Sequence, residues 1–307
     1  MIEVKRWRTT SADEINIKNS KQIYSVGFFS SSTTVDARTS WSEDYIRTIS
    51  SSVIDVEYFR ENATLCFDDI QYAFTELASI ELPDGKILID ATSLQVPELL
   101  HLLRMLSEIK RPFDILYAQP TEYTKEERKP QIDEVSQFDL SDDGTGAEFL
   151  PPHIAYGLNS TLFVCLGFEG HRFGALMNSE SFSRNNVIGL LGVPPFSVGM
   201  ENKALSSNYT YMADSMMGNE SSFIVAAAND PLYTYNLIEK SFKSCEYTQR
   251  SFCIAPIGTK PAALGAILFA VNNPRAGLVY DYVKKKKGRT SGTEIIHLWC
   301  CIIADDI

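Results

Sequence analysis

Residues 251–280 read SFCIAPIGTKPAALGAILFAVNNPRAGLVY, and this stretch sets the expectation for the whole chain. Phe252 to Pro256 predicts a short buried strand, Gly258-Thr259-Lys260 a tight turn, the residues from Pro261 a helix, and Gly277 to Tyr282 a second strand. Proline suits a first helical position, because its missing N–H would have had no partner there. Ala262, Ala263, Leu264, Ala266, Ile267, Leu268, Phe269 and Ala270 are apolar on nearly every face, so the helix is expected to lie covered against a sheet. Its N-terminus combines exposed amides, the positive end of the helix dipole, a glycine that permits close approach and the charge of Lys260. That combination fits an anion. It equally fits a glycine kept for the turn alone and a solvated lysine, and neither Walker A nor GxGxxG spacing is present in the unit.

The same alternation runs outward in both directions. Gln22 to Phe29, Val53 to Phe59, Lys86 to Asp90 and Phe113 to Ala118 predict strands, with helices over Glu43 to Ser51, Asp68 to Ser79 and Pro97 to Ile109. Downstream, Ser160 to Phe168, Val187 to Gly192 and Phe223 to Ala228 predict strands, and helices are expected from about Glu201 to Met212 and from Leu232 to Ser244. Ile295 to Ile303 predicts a closing strand, antiparallel at a sheet edge. Between them, residues 121–159 turn polar, with Asp139, Asp142, Asp143 and Glu148 making an acidic tract and Gly144 and Gly146 breaking any helix. Such a stretch reads as a linker or lid. It divides the chain into expected halves at 1–120 and 160–307.

The halves share a layout. Lys86 to Ala118 and Ser251 to Tyr282 each run strand, loop, proline at the helix start, leucine- or alanine-rich helix, strand, with Pro97 and Pro261 seven residues past Asp90 and Ile254. Val26-Gly27-Phe28 and Leu166-Gly167-Phe168 each precede a polar loop bearing an arginine, Arg38 or Arg172. The expected fold is therefore α/β and Rossmann-like, with mostly parallel sheets in two similar halves that face each other. Such sheets collect their ligands at strand C-termini. The candidate ligand-binding residues are Gly258, Thr259, Lys260, Asp90, Ser93, Arg172, Asn229 and Asp230. Lys260 and Arg172 suit a phosphate, and Asp90 or Asp230 suits ribose hydroxyls or a base edge. Asp90 with Thr92 and Ser93 reads just as well as a helix cap, and Arg172 as a partner of the acidic tract.

No catalytic set assembles from spacing. His101 and His297 sit in apolar elements as core residues would, leaving His171 beside the expected cleft, and the carboxylates are too scattered to nominate an acid/base pair. The six cysteines, at 66, 165, 245, 253, 300 and 301, show no Cys-x-x-Cys spacing and read as buried thiols in a reducing compartment rather than a metal site. At 307 residues with a net charge of −11, the chain can bury a sizeable core and lacks the positive field of a general nucleic-acid or membrane-surface binder. The run Lys284 to Lys287 with Arg289 is the local exception. Met1 to Glu14 is polar, unlike a signal peptide. The longest apolar run, Ala262 to Val271, falls short of the roughly 20 residues a membrane span needs. A cytoplasmic location is expected.

The turn Pro256-Ile257-Gly258-Thr259-Lys260-Pro261, with its small-residue helix, resembles the strand-GTK-helix element of CRISPR-associated Rossmann-fold (CARF) sensor domains. The resemblance covers about ten residues and departs from the family at Ile257, where a second glycine is common, and in having no recognisable appended nuclease domain. It implies binding of a signalling oligonucleotide, pairing as a homodimer or with other chains, and a place in a prokaryotic defence system. Three functions are thus expected to compete. They are a sensor or complex subunit that binds a nucleotide-type small molecule, an enzyme acting on a nucleotide or NAD through Asp90 or Asp230, and a structural subunit docking through its charged runs. The residues name no cofactor.

Overall fold

The computed structural model describes residues 1–33, 35–124, 140–142, 146–155, 160–178, 186–216 and 222–304. The chain runs β1 (Ile2–Ser11), β2 (Tyr24–Phe29), α1 (Ala37–Ile49), β3 (Ser50–Phe59), β4 (Thr64–Phe67), β5 (Ile70–Ala73), β6 (Ile87–Asp90), α2 (Val96–Glu108), β7 (Phe113–Ala118) and β8 (Glu122–Tyr123). It continues through β9 (Glu148–Phe149), β10 (Ser160–Cys165), α3 (Gly170–Met177), β11 (Val187–Gly192), α4 (Met200–Met216), β12 (Ser222–Ala226) and α5 (Pro231–Tyr247). The last elements are β13 (Ser251–Ala255), α6 (Lys260–Asn272), β14 (Gly277–Tyr280), β15 (Thr290–Ser291) and β16 (Ile295–Ile303). The architecture is α/β. Two compact units form, one from Met1–Thr124 with Lys287–Ile307 and the other from Lys125–Lys286.

In the first unit eight strands lie in the order β1-β16-β7-β6-β2-β3-β4-β5. The inner four, β7, β6, β2 and β3, are parallel, and the flanking pairs are antiparallel. The parallel strands carry the buried runs, with Val26, Phe28, Phe29 and Ile87 to Ile89 almost wholly covered, as expected of strands packed on both faces. Two sequence expectations change here. Residues 68–79, expected as a helix, form β5 and a 3-10 turn at Leu77–Ser79. Asp68 reverses the chain after β4 with φ 54°, a left-handed conformation Asp tolerates better than most residues, and Phe67 then packs on Phe28 and Tyr72. The second change concerns β16. Expected to close the second half at a sheet edge, it lies instead in the first unit between β7 and β1. Polar β1 is the true edge.

The β1, β16 and β7 strands share a stack of rings in which His297 lies between Trp7, Trp299 and Tyr117. Trp7 Nε1 donates to His297 Nδ1 at 3.3 Å, and His297 Nε2 lies 2.9 Å from Gln119 Oε1, so the ring is neutral and donates through Nε2. Burial holds its pKa down at about 4 from an ordinary 6.5. The folded chain therefore holds fewer protons than the unfolded one between those values, and stability rises with pH across that window. Urea titrations at pH 7 and pH 4 should show a loss from this group of about 3 kcal/mol. In His297→Gln that part of the pH slope should vanish.

In the second unit the order is β12-β11-β10-β13-β14-β9. The first five strands are parallel and β9 is antiparallel to β14. The chain starts at central β10, steps out to β12 and crosses back to β13, so strand order reverses between β10 and β13. Phe163 and Phe252 of the sheet pack tilted on each other, and Phe242 of α5 meets Phe252 and Phe269 of α6 edge-on. The stretch expected as linker or lid contributes structure, since Glu148–Phe149 is β9 and Leu150 and His153 are buried. Asp139, Asp143 and Gly144 lie outside the described residues. On the other helical layer, α3 begins at Gly170, where an added Cβ would sit 1.8 Å from the Ser207 carbonyl oxygen of α4. Gly170→Ala should therefore force α3 and α4 apart and cost at least about 2 kcal/mol in a denaturant titration.

Candidate functional site

Six of the eight predicted site residues, Arg172, Asn229, Asp230, Gly258, Thr259 and Lys260, meet at the strand C-terminal edge of the second unit. The strand reversal brings the loop after β10 against the loop after β13. A Cβ on Gly258 would lie 2.9 Å from both the Cys165 and Leu166 carbonyl oxygens, and one on Gly167 would lie 2.9 Å from the Ile257 oxygen. Gly258 has no left-handed φ. Close approach of backbone, not turn geometry, is what requires it. Thr259 caps α6, accepting from the Ala262 amide at 3.4 Å, and its hydroxyl donates to the Ala228 carbonyl at 2.9 Å. That bond ties the β13 loop to the β12 loop.

Asp230, next in that loop, caps α5 by accepting from the Leu232 and Tyr233 amides, both at 2.9 Å. Asn229 and Lys260 are half-buried, Lys260 as the first residue of α6. Among the described residues the amides of Gly258 and Thr259 have no hydrogen-bond partner. They stand at the positive end of a 13-residue helix. A void at this edge, lined by Leu166, Gly192, Ala228 and Thr259, measures about 10 Å³, room for a single water at most.

Arg172 serves a different purpose from the phosphate contact its position predicts. Its Nε and Nη2 donate to the Asp281 carboxylate at 2.6 and 2.7 Å, Nη1 reaches the Ile257 carbonyl at 3.3 Å, and Glu169 lies 3.7 Å away. Burial works against the charge, yet the hydrogen bond and charge of Asp281 raise the guanidinium above its ordinary range. Glu169 in turn accepts from the Leu140 amide at 3.2 Å and the Ser141 hydroxyl at 2.7 Å, so the cluster anchors residues 140–142. Asp281 carries no motif that marks it in the sequence. Asn208 is equally silent there, although its Nδ2 donates to the Gly167 and Ala204 carbonyls at 2.8 and 2.7 Å. Its buried Oδ1 has no partner among the described residues.

The other two residues, Asp90 and Ser93, lie in the first unit at the C-terminal end of β6. Asp90 is fully buried and accepts from the Thr92 amide at 2.9 Å, the Ser42 hydroxyl at 2.9 Å and the Ser93 hydroxyl at 2.8 Å. Ser93 accepts from the Ser30 amide at 3.0 Å. The carboxylate therefore joins β6 to α1 and to the end of β2, while the N-cap of α2 is Gln95. Nearby Arg38 is buried against the Tyr117 hydroxyl and the Ala118 carbonyl. Although burial opposes it, the charge of Arg38 keeps Asp36 below the usual carboxylate range.

The remaining candidates sort by burial. His101 stacks between Tyr58 and Phe74, and His171 is exposed on α3. All six cysteines are unpaired, and burial pushes the thiols of Cys165 and Cys253 up to about 12. In the basic run, Lys285 and Lys286 are half-buried, Lys285 bridging to Ser141 and Lys286 lying 3.9 Å from Asp142. Among the described residues no group of three or more His, Cys, Asp or Glu is placed to hold a metal ion. No helix there is long and apolar enough to cross a membrane. No protein-family model matches the chain, and no curated protein is significantly similar to it.

The Arg172 cluster makes a direct prediction. Removing one member of a buried, hydrogen-bonded ion pair strands the other, at about 3 to 5 kcal/mol. Asp281→Asn should lower the melting temperature strongly. The paired change Arg172→Met with Asp281→Leu should recover much of the loss, which thermal unfolding of all three proteins would measure.

Proposed function

We propose that the second unit binds a nucleotide-type anion over the N-terminus of α6, and that the protein is a ligand sensor or complex-forming subunit of a prokaryotic defence system. One observation carries this reading. Among the described residues the Gly258 and Thr259 amides are without partners at the positive end of α6, at the point where strand order reverses, and Lys260 adds a full charge. Thr259 binds Ala228, which places Asn229 and Asp230 beside the same turn and offers polar groups for a ribose or base. An extended ligand, or one shared with a second chain, is in keeping with the CARF resemblance of Pro256 to Pro261.

We read both units as Rossmann-like and as products of one duplication. The parallel order β7-β6-β2-β3 matches β14-β13-β10-β11, and Pro97 and Pro261 each stand second in the helix that follows β6 or β13. The partners are then a nucleotide-type small molecule and a second copy or another protein chain, in the cytoplasm.

Calorimetry with mononucleotides, NAD and cyclic oligonucleotides tests the reading. Lys260→Ala should weaken the ligand that binds by tenfold or more, the loss of a charge-assisted hydrogen bond worth about 1.5 to 3 kcal/mol, with the melting temperature unchanged. Normal binding by Lys260→Ala, or no binding of any of these anions to the unaltered protein, would overturn it.

A further inference from the structure

The sheet of the second unit ends at β12, and among the described residues no strand pairs with its outer edge. Which backbone groups line that edge follows from the bonds on the inner side. The Ala226 carbonyl accepts from the Val193 amide at 2.7 Å, and the Ala228 amide donates to the Pro194 carbonyl at 2.9 Å. Residues 224, 226 and 228 therefore turn their backbone toward β11, and the alternation of the strand turns the N–H and C=O of Phe223 and Val225 outward. Edges of this kind are ordinarily blunted by charge, proline or a bulge. β12 reads Ser-Phe-Ile-Val-Ala in unbroken register and has none of these, whereas β1, an edge of the other sheet, carries Lys5, Arg6 and Arg8.

Side chains extend the same edge. Phe223 packs against the buried cluster that holds Ala204 and Met212 of α4, so Phe223 and Val225 lie on the α4 face of the sheet, where Val225 is 50% exposed. On α4, Ser207 and Tyr211 lie against Gly170 and Gly174 of α3, while Asn208 and Met212 face the sheet at Gly167 and Gly189. The helical period then places Leu205 and Tyr209 on the flank away from α3. Because α3 joins β10 to β11 and α4 joins β11 to β12, that flank overhangs the β12 edge, and both residues are exposed. Unpaired backbone groups, Val225, Leu205 and Tyr209 thus form one apolar strip.

We infer that this strip is the contact surface between two copies of the chain, with β12 antiparallel to β12 of the second copy about a two-fold axis at Ile224. A two-fold contact needs a surface that is its own complement. In this register Phe223 stands opposite Val225 of the second copy and Val225 opposite its Phe223, an aromatic with β-branched pairing that sheets favour, and the outward groups close four hydrogen bonds. The helices match as well. With α4 over β11 and β12, its copy across the seam lies two strand spacings away, about 10 Å, an ordinary distance for packed helices. Leu205 and Tyr209 are then buried between the two helices, adding to what the short strand supplies of the roughly 800 Å² per partner in a stable interface. The inference involves neither Lys260 nor the α6 amides, so it holds whatever ligand the α6 edge takes.

Sedimentation of the full chain and non-reducing electrophoresis test it. At micromolar concentration the mass should be twice that of one chain. Val225→Pro should weaken the dimer at least about tenfold with an unaltered circular dichroism spectrum, because that N–H takes no part in the ladder with β11. Tyr209→Glu, a change at an exposed position, should do likewise. Ile224→Cys lies on the axis, where the two Cα atoms are about 4.5 Å apart and within disulfide range, and should cross-link on oxidation. Ser222→Cys, about 13 Å from its counterpart, should not. A single-chain mass, a dimer that survives both Val225→Pro and Tyr209→Glu, or cross-linking of Ser222→Cys as readily as Ile224→Cys would overturn the inference.

Discussion

Between the loops that leave β10 and β13 there is no room for a Cβ atom. Gly167 and Gly258 face the opposing backbone at distances no side chain tolerates, and the rest of the second unit's upper edge depends on that approach. With the loops this close, Thr259 reaches the Ala228 carbonyl and Arg172 reaches the Ile257 carbonyl. Three strand ends are thereby fixed relative to one another by polar bonds rather than by packing. A larger residue at either glycine would separate all three, since interiors respond to overpacking by shifting backbone.

The first unit solves the same problem with side chains. There the ends of β2 and β6 are joined through Ser30, Ser93, Asp90 and Ser42, and the buried carboxylate stays satisfied because three donors reach it at 2.8 to 2.9 Å. A buried acceptor with three donors costs little to keep, whereas losing one donor would expose the full desolvation penalty. The two units thus reach the same parallel core with different joints at its edge.

Much of this was legible in residues 251–280, where apolar runs, a glycine turn and a proline at a helix start follow from local chemistry. The strands β2, β6, β7, β10, β11 and β13 were equally readable because parallel strands buried on both faces are continuous apolar runs. Residues 68–79 misled because Ile70, Ala73, Phe74 and Leu77 have helical spacing by coincidence, and the turn at Asp68 leaves no distinctive dipeptide. β1 was invisible because an exposed edge strand need not alternate. The site was half legible. Turn glycines and caps announce themselves, but the Arg172–Asp281 pair spans 109 positions, and charge pairing at such distance leaves no local pattern.

The placement of β16 has a consequence for how the protein is made. Among the described residues β1 pairs with β16 alone, Ile2 standing opposite Ile303, and β16 also separates β1 from β7. During synthesis β1 therefore waits for β16, while the whole second unit is completed in between. Long-range pairing of this kind is slow and leaves strand edges exposed meanwhile. The density of charge on β1, with Lys5, Arg6 and Arg8 in its exposed stretch, is what keeps such a waiting strand from recruiting a neighbouring nascent chain.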